Sequence, residues 1–156
     1  MPFNDNSSVD KDILFIQFIS APIKAQTIAS QIVDSVVMGL ETHYTNNLYL
    51  TLVIKIMSGD GLTLRGTILA LTHDGTELDW DILTSRYFSA TSTEVIAQEG
   101  DRVVVEIGVG GNPSYDHDSS LRFGDPTGST DILEVDNDEN TAHCPWVAFT
   151  NAITMQ

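Results

Sequence analysis

A chain of 156 residues is long enough for one domain with a properly buried core, and 42% hydrophobic residues is ordinary for a globular protein. Its 22 acidic residues against seven basic ones leave a net charge of −15, a surface that repels phosphate and anionic membranes and so speaks against nucleic-acid and membrane partners. No apolar run approaches the roughly 20 residues of a membrane-spanning helix, and the single cysteine, Cys144, excludes an intramolecular disulfide framework. That lone cysteine implies a reducing compartment, or at least no reliance on oxidation, and the first 12 residues carry no basic lead-in of the signal-peptide kind. Excess acid serves solubility; its functional uses are divalent-cation binding or docking on a basic partner.

In chain order, residues 1–12 are polar and read as a short N-terminal arm ahead of a domain spanning 13–156. Residues 13–19 (ILFIQFI) form the first predicted strand, closed by Ala21-Pro22. Over 26–41 the branched Ile32, Val33, Val36 and Val37 favour strand over helix, and 43–46 turn the chain. The stretch 47–71 is the organising hairpin. Leu48, Leu50, Leu52, Ile54 and Ile56 alternate with Tyr49, Thr51, Val53, Lys55 and Met57, the period of a strand with one buried face. Beyond a tight turn at Ser58-Gly59-Asp60-Gly61, Leu62, Leu64, Ile68 and Ala70 alternate with Thr63, Arg65, Thr67 and Leu69. The Asp-Gly pair suits a two-residue hairpin turn.

A second Asp-Gly within 72–76 predicts another turn. Residues 80–88 (WDILTSRYF) read as a strand kinked at Thr84-Ser85, 90–93 as a loop and 95–98 as a short strand. Gly100-Asp101 then turns the chain into 102–109, whose β-branched run predicts burial on both faces or nearly so. From 110 to 143 Gly110, Gly111, Asn112, Pro113, Gly124, Pro126 and Gly128 punctuate a stretch in which only 121–123 looks like strand. A connection of this length is usually functional or flexible. Residues 146–153 close the chain as a last strand. Turn signals every roughly 8–12 residues, without helical periodicity, predict an all-β fold: a single-domain antiparallel β-sandwich, jelly-roll-like, of about eight to ten strands. No repeat of fixed period is present.

The candidate sites are weak. Asp136-Asn137-Asp138-Glu139-Asn140 resembles the start of a calcium loop, but Thr141 stands where the sixth-position glycine belongs and Val147 where the bidentate glutamate belongs. It reads as a solvated acidic loop, with a looser calcium site over 131–140, joined by Asp131 or Glu134, as the alternative. His43, His73, His117 and His143 share no zinc spacing with Cys144. Asp116-His117-Asp118 lacks an accompanying nucleophile elbow. The glycine-rich 108–111 follows a strand without a helix to bind phosphate, and reads as a flexible strand exit. Glu77, Asp79 and Asp81 alternate with Leu78, Trp80 and Ile82, as paired glycosidase carboxylates can, though an acidic sheet surface explains them as well. Trp80, Trp146, Tyr44, Tyr49, Tyr87 and Tyr115 suit core packing better than a sugar-stacking platform. No catalytic, cofactor-binding or metal-binding residue is assigned.

Gly-Asp-Arg-Val-Val-Val-Glu-Ile-Gly at 100–108, Leu-Arg-Phe-Gly-Asp at 121–125 and Pro-Trp-Val-Ala-Phe at 145–149 resemble a pattern of bacteriophage virion proteins, and the hairpin with Arg65-Gly66-Thr67 looks like part of it. The resemblance lies in fold-determining residues and covers about two-thirds of the chain. It implies a non-enzymatic structural β-sandwich: a decoration or cement protein on the capsid exterior. Such a protein is assembled in the host cytoplasm, with the major capsid protein as partner and a homotrimer as natural state. A tail-fibre or baseplate domain binding host glycans is the alternative. Within this frame Glu106, in an apolar strand, needs a partner, for which Arg122 is the candidate, and Trp146 anchors the last strand.

Overall fold

The computed structural model describes residues 11–111, 119–122, 131–132 and 144–156. Among these the elements are all strands, and the hairpin at their centre forms for the reason its sequence suggests. In β4 (Leu48–Met57) the five alternating aliphatics are buried to between 0 and 4% exposure. At about 1.5–3 kcal/mol per buried side chain, that face is what commits the strand to the core. The connection to β5 (Leu64–Glu77) is a four-residue turn closed by the Gly61 N–H donating to the Ser58 carbonyl, with Gly61 in the left-handed region at φ 74°. Asp60 stays at negative φ and instead accepts from the Ser58 hydroxyl and the Leu62 N–H. The turn is therefore a type I turn followed by a left-handed glycine, not the expected two-residue turn.

The other strands are β1 (Lys11–Ile19), β2 (Gln26–Ile28), β3 (Ile32–Glu41), β6 (Thr84–Thr91), β7 (Val95–Ala97), β8 (Arg102–Gly111), β9 (Ser119–Arg122) and β10 (Trp146–Phe149). They make two main sheets with antiparallel pairing throughout. One has the order β1-β8-β4-β5; in the other β3 pairs with β6 along one edge and with β10 and β9, end to end, along the other. A small β2-β7 ribbon lies off both. Residues from both main sheets, among them Val33, Val37, Leu52, Ile54, Ile68, Phe88 and Ile107, form one core. The fold is an antiparallel β-sandwich. As expected, β8 is nearly buried on both faces, with Val103, Val104, Ile107 and Val109 at 5% exposure or less.

The two long sides of the sandwich differ. Where β5 lies against β6, the Arg86 guanidinium reaches across to Asp74, Nε and Nη2 each 3.1 Å from Oδ2, with both side chains buried. The other long side, where β1 lies over β10, is partly open. Two adjoining clefts of about 290 and 480 Å³ share Phe18, Val105 and Val147.

Several expectations fail for identifiable reasons. The second Asp-Gly is no turn: β5 runs through it, because the Asp74 carboxylate is taken by Arg86 and the strand absorbs irregular register against β4 at four places. The same irregularity overturns the face assignment in β5. Leu69 is buried, while Leu62 and Leu64 are 84 and 53% exposed. Residues 80–83 are not strand; β6 starts at the expected kink and runs on into the expected loop. The glycine-rich 108–111 is no flexible exit but the end of β8, paired on both sides. A Cβ on Gly108 would collide with the carbonyl oxygen of Ile13, where β1 bulges between Leu14 and Ile16. β1 opens at Lys11, so 11–12 belong to the sheet rather than to an arm; 1–10 lie outside the described residues.

Candidate functional site

The chemistry-bearing groups gather at the end of the sandwich where β3 passes into β4. Glu41 closes β3, and its backbone accepts from and donates to the chain leaving β5: Glu41 N–H to the Asp79 carbonyl at 3.0 Å, Asp81 N–H to the Glu41 carbonyl at 2.9 Å. Trp80 is thereby bridged in parallel to Glu41. The two links, 42–47 and 78–83, run side by side. Each carries a non-glycine residue at positive φ, Asn47 at 46° and Asp81 at 57°, and these are the two such residues among those described. Asn and Asp are the side chains that tolerate this left-handed region, which lets both links turn sharply.

Glu41 itself is 2% exposed. Burial pushes its carboxyl up from 4.5 to about 7; the Leu48 N–H, 3.2 Å from Oε2, opposes this, while the Glu77 carboxylate raises it further through charge and a shared hydrogen bond, as does the charge on Asp79. Near neutral pH the group is therefore part protonated. Its carboxyl faces inward on Leu48, so it sets the path of 42–47 rather than offering a proton to a substrate.

Above this buried acid lie exposed aromatics. Tyr44 is 66% exposed and Trp80 54%, with ring centroids 5.9 Å apart in an edge-on arrangement; His43 stacks on Tyr44 at 4.5 Å. The Asp79 carboxylate is held by the Thr84 hydroxyl at 2.7 Å. The sequence placed Glu77, Asp79 and Asp81 on a strand face. The structure instead puts Glu77 at the end of β5 and the other two in the link, gathered around Glu41. Glu41 was missed because nothing within its own segment marks it; its partners lie 36 and 38 positions away.

The remaining candidates scatter. His73, from β5, reaches across the face of the first sheet over Gly110 to meet Asp12 of β1 at 2.6 Å, far in sequence from His43. Tyr87 donates to Asp34, Tyr49 is half-buried in β4, and Cys144, in no disulfide, is bridged through its backbone to Asp131. His117, His143, Tyr115, Asp116, Asp118, Glu134 and the acidic run 136–140 lie outside the described residues. Among the described residues no group of three or more His, Cys, Asp or Glu is arranged to hold a metal ion, and no helix is long and apolar enough to cross a membrane.

Glu106 takes a different partner from the one expected. The period of two puts it on the outer face of β8, where Gln17 lies opposite it in β1 and donates to Oε1 at 3.0 Å, and the Lys55 ammonium reaches Oε2 from β4. The backbone of Arg122 lies in the other sheet, paired with Met38. Trp146 does anchor the last strand, its indole N–H donating to the Ile132 carbonyl at 2.7 Å while its ring packs on Val36, Met38 and Ile132.

The second notable surface is the cleft between β1 and β10. Phe18, Ile19 and Met155 are 45, 59 and 46% exposed there, beside Val105, Val147 and Phe149, and its described lining holds no charged side chain. The class of protein so defined is an acidic antiparallel β-sandwich with an uncharged apolar side and an acidic, aromatic end. Comparison with protein-family models, with curated proteins and with solved structures finds no match.

Proposed function

We propose that the protein is a non-enzymatic structural component of a bacteriophage virion, decorating the capsid exterior and cementing the major capsid protein as a homotrimer. The observation that carries this reading is the uncharged cleft between β1 and β10 on a chain of net charge −15. Copies so strongly alike in charge repel one another over most of their surface and can pack closely only where charge is missing. Exposed Phe18, Ile19 and Met155 supply apolar area for such a contact. The resemblance of 100–108, 121–125 and 145–149 to virion proteins supports the assignment to a phage particle. Mass spectrometry of purified virions tests it: hundreds of copies per particle are expected, and absence from the particle refutes it. Light scattering on the purified chain should give a trimer that Phe18→Asp dissociates; a monomer at all concentrations removes the role given to the cleft. The exposed Tyr44–Trp80 pair favours a second reading, a tail-fibre or baseplate domain contacting host glycans, for which a few copies per particle are expected.

A further inference from the structure

We propose that the Tyr44–Trp80 shelf is a docking site for a basic side chain, an arginine above all, presented by a partner protein. This inference is independent of the capsid reading and competes with the glycan reading for the same shelf. Two large aromatic side chains, 66 and 54% exposed, contribute little to the core, yet they are held in place. Trp80 is fixed by the backbone bonds that tie 79–81 to Glu41, and Tyr44 is packed between the Trp80 edge and the His43 ring. A pre-set aromatic surface lowers the ordering cost of whatever stacks on it.

Charge selects the occupant. Glu77, Asp79 and Asp81 sit in the segments that carry the shelf. The shelf's own segments, 41–47 and 77–83, contain no lysine or arginine. Arg86 is taken by Asp74; Lys55, Arg65 and Arg102 cluster about the hairpin tip, on the order of 25 Å away along β4. Lys11, the nearest along the sheet, is two strands off at about 10 Å. An anionic ligand is repelled from this end, and a neutral sugar ring can use the aromatic faces but gains nothing from the surplus negative charge. A guanidinium gains from both: its plane stacks on an indole or phenol ring, and its N–H fork matches a carboxylate.

The test uses the intact chain with isotope-labelled indole and amide groups, titrated with the peptide Gly-Arg-Arg-Gly and, as an uncharged isostere, the same peptide with citrulline for arginine. The Trp80 indole N–H signal is expected to move with the arginine peptide and much less with citrulline. Trp80→Ala should weaken binding about 3- to 30-fold, the range of one cation–π contact. Tyr44→Ala, on an exposed link, is the second variant should Trp80→Ala fail to fold, and it should also weaken binding. Glu77→Gln should weaken it further at low salt than at high salt. Equal binding of the citrulline peptide, or arginine binding unchanged in both aromatic variants, overturns the proposal and leaves non-specific attraction to an acidic surface. Maltohexaose or cellohexaose shifting the same indole signal, with no response to the arginine peptide, overturns it in favour of a saccharide site.

Discussion

The Arg86–Asp74 pair is the most exposed point of this account to experiment, because it is a buried charge contact that closes one long side of the sandwich. Both guanidinium nitrogens are 3.1 Å from a single carboxylate oxygen, and the side chains are 5 and 9% exposed. Arg86→Met keeps most of the side-chain volume and strands the Asp74 carboxylate in a site with little water. Removing one partner of a buried pair typically costs about 3–5 kcal/mol. Against a total stability of roughly 5–15 kcal/mol that is a large share. At about 2–4 °C per kcal/mol for a chain of this size, the melting temperature should fall by about 6–20 °C. The double variant Arg86→Met/Asp74→Leu removes both charges and should lie within about 1–2 kcal/mol of the parent, since an apolar replacement of a buried pair is often close to neutral. Urea unfolding followed by tryptophan fluorescence, with the two single variants and the double, completes the cycle. A cost below about 1 kcal/mol for Arg86→Met, or two single losses that simply add, would mean that the pair is solvated and holds nothing together.

Glu41 predicts a pH dependence of stability. Its folded-state value of about 7 lies above the 4.5 of a free carboxyl, so the folded state binds the proton more tightly; the stabilisation is complete below 4.5 and is lost as pH rises through about 7. Unfolding free energy should fall by at most about 3 kcal/mol across that window, and Glu41→Gln should flatten the change; an unaltered slope in the variant would assign it elsewhere. Gly108→Ala should cost about 1–3 kcal/mol or more, because the added methyl meets the Ile13 backbone; a melt equal to the parent would mean that β1 can yield. Glu106→Ala should cost no more than about 1 kcal/mol and the loss should shrink in salt, since its partner Lys55 is 32% exposed; a loss of several kcal/mol at high salt would show a buried role.

The fold class was legible because it rests on local signals. Period two in β4, the branched run of β8 and the turn at 58–61 each report on a few neighbouring residues, and together they require two faces of sheet to be buried against each other. The readings that failed depended on distant partners. Asp74-Gly75 has the chemistry of a turn, and only the arrival of Arg86 from β6 makes Asp74 a strand residue. Gly108 has the look of a flexible hinge, and only the close backbone of β1 makes it an obligatory small residue. Leu64 and Leu69 exchange inside and outside because irregular pairing against β4 shifts the alternation, which no local pattern records.

The candidate site was legible only in fragments. Glu77, Asp79 and Asp81 stood out, but as three alternating positions on a strand; Tyr44 and Trp80 stood out only as two of six aromatics, and Glu41 gave no signal at all. They meet because β3 and β5 end at the same edge of the sandwich and their following links pair through Glu41. By itself the sequence determined the strands, the acidic surface and the apolar faces, since periodicity and charge are properties of the chain. The tertiary structure alone decided which acid is buried among others, which glycines admit no side chain and which apolar faces stay open. Those outcomes depend on distances between segments, and pairing across sheets sets these distances after each strand has already been specified.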